Sequence, residues 1–245
     1  MSLPVFWMDG ERLRASDVPE LDGDEGHHAA VVRRIRRGEL VELTDGAGHV
    51  ARCVVTDVGK RGLSCAVQSR SDVLPPVPRV TVVQALPKGD RGELAVELMT
   101  EVGADAIVPW AAGRCVTQWR GERGAKALRR WRSTAFEAAK QSRRAWFPDV
   151  AELATTAEVV ELLGPAAMPL VLHESGTDGV AELTPPVEGD VVLVVGPEGG
   201  ITDDEIGRFT AAGGIPVRLG PTVMRTSTAG AVAAAILLAR TARWG

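Results

Sequence analysis

The sequence predicts a two-part chain: a small all-β domain first, then a larger α/β domain with a mostly parallel sheet. Three observations predict it. The stretch Ser71-Asp72-Val73-Leu74-Pro75-Pro76-Val77-Pro78 is proline-dense and reads as an extended, semi-rigid linker. Before it, short strands are separated by turn signals. After it, apolar strands alternate with helical patterns. The boundaries are 1–74 for the first domain, 75–79 for the linker and 80–245 for the second domain.

In the first domain, Asp24 to Arg37 reads as the one helix, ending in the basic run Arg33-Arg34-Ile35-Arg36-Arg37 before Gly38. That run either touches a polyanion or complements the helix dipole. Glu39 to Thr44 alternates as a strand, and Asp45-Gly46 is a turn signal. His49 to Asp57 and Leu63 to Val67 are two further strands, joined by Gly59-Lys60-Arg61-Gly62. This spacing suggests a small β-barrel.

In the second domain, Val80 to Ala85 is a strand. Asp90 to Val102 is a helix with Leu94, Leu98 and Val102 on its apolar face and Gly103 just past its end. Ala106 to Val108 is a short strand. Gly124 to Arg144 is a long helix burying Leu128, Trp131, Ala135 and Ala139. Leu170 to Leu172 and Val191 to Val195 read as buried parallel strands. Thr202 to Ala212 is a helix and Ile215 to Leu219 a strand. The last helix, Ala229 to Arg240, is apolar on nearly every face, which places it in a core or at a subunit interface.

Composition narrows the function classes. The chain has 245 residues, 45% hydrophobic and 24% charged, enough for a real core in one or two domains. No apolar run approaches the roughly 20 residues of a membrane span. The opening residues lack the basic start and apolar stretch of a signal peptide, so the expectation is a cytoplasmic protein without membrane attachment. Cys53, Cys65 and Cys115 are three in number with no C-x-x-C pair, and His27-His28 lacks metal-site spacing, so no metal is expected. The net charge of −4 conceals an asymmetry. Residues 114–144 hold ten Lys or Arg against Glu122 and Glu137, a net of +8. Residues 145–245 hold five basic and thirteen acidic residues, a net of −8. A concentrated basic segment is the footprint of a polyanion partner.

Three loops carry the candidate chemistry. Val195 runs into Gly196-Pro197-Glu198-Gly199-Gly200, followed by Thr202 and Glu205 at capping-box spacing. This is neither a G-x-G-x-x-G fingerprint nor a P-loop, which argues against an NAD- or phosphate-dependent enzyme. Leu170 to Leu172 runs into His173-Glu174. The strand ending at Leu219-Gly220 leads through Met224-Arg225-Thr226 into the last helix. All three loops leave the carboxyl edge of one parallel sheet, where ligands of such folds bind.

With Thr228-Ala229, this ordered set of loop residues resembles the SPOUT methyltransferases. More closely, it resembles the bacterial 16S rRNA uridine-N3 methyltransferase family. Lys88-Gly89-Asp90 with Glu97 and Glu101-Val102-Gly103, and Gln141-Ser142-Arg143 with Pro148, fit the same family. The first domain is similar to its PUA-like domain. Two positions depart: Thr222 stands where the family carries an arginine, and Ser227 where a glutamate is common.

The resemblance implies an α/β chain in which a PUA-like RNA-binding β-barrel precedes a SPOUT domain with a C-terminal trefoil knot. It implies S-adenosylmethionine as cofactor, held by Leu172, His173 and Glu174, by Gly196, Pro197, Glu198, Gly199 and Gly200, and by Leu219, Gly220, Met224, Arg225, Thr226, Thr228 and Ala229. It implies a homodimer acting on 16S rRNA within the small ribosomal subunit, at N3 of uridine 1498. Arg225 is the candidate cation for the uracil anion, or else holds a phosphate or loop carboxylate. Glu198 is either a general base or a partner of loop amides. Arg33, Arg34, Arg36, Arg114, Arg129, Arg130, Arg143 and Arg144 are the candidate RNA contacts. The alternative is an RNA-binding protein of this fold that has lost turnover.

Overall fold

A computed structural model describes residues 3–244. Met1, Ser2 and Gly245, the outermost residues of the two expected domains, lie outside the described residues. The chain divides into two compact units, Met1–Pro75 with Ala139–Phe147, and Pro76–Ala138 with Pro148–Gly245. Residues 139–147, which the sequence pattern assigns to the second domain, therefore group with the first. Among the described residues no helix is long and apolar enough to cross a membrane.

The first unit contains β1 (Val5–Trp7), α1 (Gly10–Ala15), β2 (Glu20–Leu21), α2 (Gly23–His27), β3 (Leu40–Thr44), β4 (His49–Val58) and β5 (Leu63–Asp72). The sheet order is β1-β3-β4-β5-β2, antiparallel except for β1 on β3. Alternate residues point inward, as a half-buried strand requires. Val41, Leu43, Ala51, Cys53, Val55, Leu63 and Cys65 thus share one core with Phe6, Leu13 and Leu21.

The helix expected to reach Arg37 stops at Val32. After α2 the chain widens into a π-helical turn over His28–Val32. Arg33 N donates to His28 O and Ile35 N to Ala29 O, and Arg34 takes φ +54°. Burial of Ile35 in the core draws the chain out of its helical path. The basic run thus begins at the C-cap, Arg33, at the negative end of the helical segment, and continues into a turn.

The segment 139–147 straps the β3–β4 turn. Gly48 N donates to Ala145 O (2.9 Å), Phe147 N to Gly46 O (2.8 Å) and Trp146 Nε1 to Val73 O (2.9 Å). Gly46 and Gly48 both have positive φ, and a Cβ on either would come within 2.8 Å of the Phe147 or Trp146 ring. Both glycines are needed for the turn and for the approach of the strap. Lys140 pairs with Glu25, both nearly buried.

The second unit contains β6 (Arg79–Ala85), α3 (Arg91–Val102), β7 (Ala106–Trp110), α4 (Gly121–Gln141, its last three residues counted with the first unit), β8 (Asp149–Val150), α5 (Thr156–Leu163), β9 (Met168–Leu172), β10 (Asp178–Gly179), β11 (Asp190–Val195), α6 (Asp203–Ala211), β12 (Ile215–Arg218) and α7 (Thr226–Leu238). Its seven strands are all parallel, in the order β10-β12-β9-β11-β6-β7-β8. Both faces are covered, which explains the continuous apolar strands. Val80, Val82, Leu170, Leu193 and Val195 face a core shared with α3, α4 and α7. Val83, Ala85, Val171, Val192 and Val194 face one shared with α5 and α6, including Phe209 edge-on to Trp110.

Two helix readings change. α3 buries Ala95, Val96 and Met99 and leaves Leu94 41% exposed. Leu98 and Val102 sit at the core edge. α3 lies under α7, and small residues permit that approach. α4 buries Leu128, Trp131, Ala135 and Ala139 as read, but ends at Gln141, since Arg143 adopts φ +58°.

Candidate functional site

β12, β9 and β11 are neighbours in one parallel sheet. Their three loops therefore emerge side by side at its carboxyl edge, the standard ligand position of such sheets.

Each loop has a local reason for its shape. Thr202 and Glu205 form a complete capping box: Glu205 N donates to Thr202 Oγ1 (3.2 Å), and Thr202 N donates to Glu205 Oε2 (2.9 Å). This fixes where the glycine loop becomes α6. A Cβ on Gly196 would stand 2.6 Å from Ile201 Cγ1, so the loop folds this tightly only with glycine there. In the second loop His173 N donates to Val217 O (3.0 Å), tying it to β12. His173 Nδ1 lies 2.7 Å from Ser175 Oγ and accepts from Ser175 N (3.2 Å). Gly176 sits against the Val217 backbone, where a Cβ would come within 2.6 Å. In the third loop Arg225 is the N-cap of α7, and its carbonyl accepts from Thr228 N and Ala229 N, both at 3.0 Å. Its side chain is exposed and, among the described residues, makes no hydrogen bond or ion pair. Gly220 has open space where a Cβ would stand.

Beside these loops, the turns after β6 and β7 join the glycine loop in a closed ring of hydrogen bonds. Lys88 N donates to Glu198 Oε1 (3.1 Å). Thr117 Oγ1 donates to Pro87 O (2.7 Å). Arg114 Nη1 donates to Gly199 O (3.2 Å) and Ile201 O (3.5 Å). Glu205 anchors the ring from beneath. Its nearly buried carboxylate also accepts from Gly113 N (2.8 Å), Thr202 Oγ1 (2.8 Å) and Thr156 Oγ1 (3.2 Å). Burial pushes the Glu205 pKa up, but the hydrogen bonds from Thr202, Gly113 and Thr156 together outweigh burial and hold it below the ordinary carboxylate value.

Of the two candidate catalytic groups, Glu198 is thus tied by one oxygen to a loop amide, and Arg225 is unengaged. Thr226 and Ser227 are buried, whereas Met224 and Thr222 are exposed. Among the described residues Ser227 Oγ and Gln84 Oε1 are buried without a hydrogen-bond partner, and Gln84 Nε2 donates to Thr226 O (3.3 Å). Sequence reasoning missed Gln84, Thr117 and the second role of Glu205. The capping box marks Glu205, but no local pattern announces Gly113 or Thr156 as its partners.

The candidate RNA contacts fall in both units. Arg33, Arg34, Arg36 and Arg143 are exposed in the first, where Arg144 Nε donates to Trp146 O (2.8 Å). Arg129 and Arg130 are exposed on α4 in the second, Arg130 facing Glu93 at 3.2 Å. Arg114 instead turns onto the glycine loop. Trp131 lies in the core, edge-on to Trp119.

Comparison with known proteins agrees with this architecture. Residues 74–238 match the RNA methyltransferase domain family, and residues 21–68 match the RNA methyltransferase PUA domain. The ribosomal RNA small subunit methyltransferase E of Mycobacterium tuberculosis is 52% identical over 231 residues, covering 93% of this chain and 88% of that one. The protein of the same name from Bacillus subtilis is 30% identical over 229 residues, covering 89% of each. Among solved structures, ribosomal RNA small subunit methyltransferase E of Neisseria gonorrhoeae, bound to S-adenosylmethionine, has TM-score 0.83 and 26% identity over 97% of this chain and 98% of that one. A Legionella pneumophila protein in complex with the same cofactor has TM-score 0.86 and 28% identity over 98% and 99%. The N-terminal PUA domain, the parallel-sheet domain and these matches make the chain a member of the RNA methyltransferase family that includes the ribosomal RNA small subunit methyltransferases E.

Proposed function

We propose that the protein methylates 16S rRNA of the small ribosomal subunit at N3 of a uridine, using S-adenosylmethionine. The observation that carries this reading is the 52% identity, across 88% of its length, to a protein named for methylation of that RNA. The target position, uridine N3, rests on the family resemblance.

The residues present fit the cofactor. The glycine loop exposes backbone at Gly199 and Gly200, Gly220 leaves open space, and α7 begins at the same edge without a side-chain cap. Such a cradle suits an adenosine held through backbone groups. Leu172, His173 and Glu174, Gly196 to Gly200, Leu219 and Gly220, and Met224 to Thr226 with Thr228 and Ala229 would hold it. When bound, it supplies an electrophilic methyl group.

The chain's own residues do the rest. Uracil N3 lies on the Watson–Crick edge and carries a proton, so the base must be unpaired or flipped out and that proton removed. Arg225, unengaged and at the cofactor edge, supplies positive charge to the resulting uracil anion. Glu198 Oε1 holds the Lys88 loop, which leaves Oε2 as a proton acceptor. Holding base and methyl donor in line supplies much of the rate. Phosphates contact Arg33, Arg34, Arg36, Arg143 and Arg144 in the first unit, and Arg129 and Arg130 in the second. A C-terminal trefoil knot forms the cofactor loops, and two copies associate through α7, whose Val232 and Ile236 are only half-buried. The enzyme works in the cytoplasm, where its substrate is assembled.

Arg225→Ala tests the catalytic assignment. Turnover falls about 100-fold or more, as for loss of one charge-stabilising group, while the Kd for S-adenosylmethionine stays within about twofold. Collapse of cofactor binding would show that the Arg225 side chain, and not only its backbone, holds the cofactor.

A further inference from the structure

Charge patterning groups Arg114 with the RNA contacts, but its guanidinium points elsewhere. We propose that Arg114 is a positioning residue of the cofactor loop, a brace that holds Gly199 to Ile201 in place. This deepens the proposed function and rests on it.

Three observations point the same way. The Arg114 guanidinium spends Nη1 on two carbonyls of the glycine loop, Gly199 O at 3.2 Å and Ile201 O at 3.5 Å. The contact is more than one hydrogen bond, because the loop is moulded onto the arginine. A Cβ on Gly199 would stand 3.0 Å from Arg114 Cβ and 3.2 Å from its carbonyl oxygen. Finally, the turn that carries Arg114 is fixed on both sides. Gly113 N is held at 2.8 Å by the nearly buried Glu205, and Thr117 Oγ1 donates to Pro87 O at 2.7 Å.

The charge sign also fits. Carbonyl oxygens at a loop turn carry partial negative charge, and a guanidinium donates to several at once in a planar fork. With Lys88 N on Glu198 Oε1 closing the third side, the glycine loop is held from two neighbouring loops. Preorganisation of this kind lowers the ordering cost of ligand binding. The expected signature is therefore a cofactor effect without an RNA effect.

The test uses the full chain in three forms: wild type, Arg114→Ala and Arg114→Lys. Binding of S-adenosylmethionine is measured by calorimetry. RNA binding is measured at several salt concentrations, and steady-state kinetics at varied cofactor. For Arg114→Ala the cofactor Kd and KM rise about tenfold or more, as expected for lost charge-assisted hydrogen bonds. Its kcat at saturating cofactor changes little, and the slope of log RNA affinity against log salt stays that of wild type. Arg114→Lys recovers part of the cofactor affinity, since an ammonium can reach one carbonyl. An unchanged cofactor Kd together with a salt slope reduced by about one would overturn the proposal and make Arg114 a phosphate contact. Loss of cofactor affinity that lysine does not recover at all would also overturn it. A wild-type protein that binds no S-adenosylmethionine would sink the proposed function itself, a result separable from the other two.

Discussion

Replacing Glu205 with alanine removes the acceptor for four donors at once: Gly113 N, Thr202 N, Thr202 Oγ1 and Thr156 Oγ1. Losing the capping box costs about 1 kcal/mol. Leaving the Gly113 and Thr202 amides without an acceptor adds about 1–3 kcal/mol. The sum, ~2–4 kcal/mol, is large against a typical stability of ~5–15 kcal/mol. At ~2–4 °C per kcal/mol for a unit of this size, the melting temperature falls by ~5–15 °C. Glu205→Gln keeps the volume and one acceptor oxygen, so its loss is smaller.

The pH dependence follows from the same geometry. The folded pKa of Glu205 lies below its ordinary value of 4.5. Its ionised form therefore stabilises the fold above that value, and this contribution is lost as pH falls through the folded pKa. The gap in melting temperature between wild type and Glu205→Gln should be full at pH 7 and close in strong acid. Scanning calorimetry across pH reads both effects. A Glu205→Ala protein melting within about 1 °C of wild type at pH 7 would show that the carboxylate anchors nothing.

Asp105→Ala leaves Arg243 largely buried without the carboxylate that holds Nη1 at 2.7 Å and Nη2 at 3.1 Å, and strips an acceptor from Val80 N. Denaturant unfolding should show a loss of about 3–5 kcal/mol, and a loss under about 1 kcal/mol would mean the pair is solvated. Cys53 and Cys65 are fully buried, and burial pushes their thiols up to about 12 and about 11. A thiol reagent at pH 8 should therefore modify neither in the native protein and all three cysteines after unfolding. Native modification of Cys53 would contradict the packing of the first unit.

Much of the second unit was legible because its signals are local. Val191 to Val195 reads as a buried strand from composition alone, and Thr202 with Glu205 marks the start of α6 to within a residue. The adjacency of the three candidate loops follows from strand order β12-β9-β11, which no local pattern encodes. The errors have identifiable causes. Leu94, Leu98 and Val102 share helical spacing, yet α3 turns Ala95, Val96 and Met99 inward because α7 lies close above it. The helix through Arg37 failed where burial of Ile35 overrode propensity. β1, β2 and α1 were too short to show a period. The strap at 139–147 rests on contacts with residues nearly 100 positions away, and in sequence Gly46 shows only as part of the Asp45-Gly46 turn. The contact of Arg114 with the glycine loop was hidden for a related reason. Charge counting sees the residue but not the direction of its guanidinium.

The most direct measurement is methyl transfer from labelled S-adenosylmethionine to unmodified small ribosomal subunits, with naked 16S rRNA in parallel, followed by nucleoside mass spectrometry of the product. The expected product is 3-methyluridine, with the assembled subunit preferred over naked RNA. A different methylated nucleoside would contradict the proposed reaction. No transfer from a protein that binds the cofactor tightly would contradict the proposed substrate.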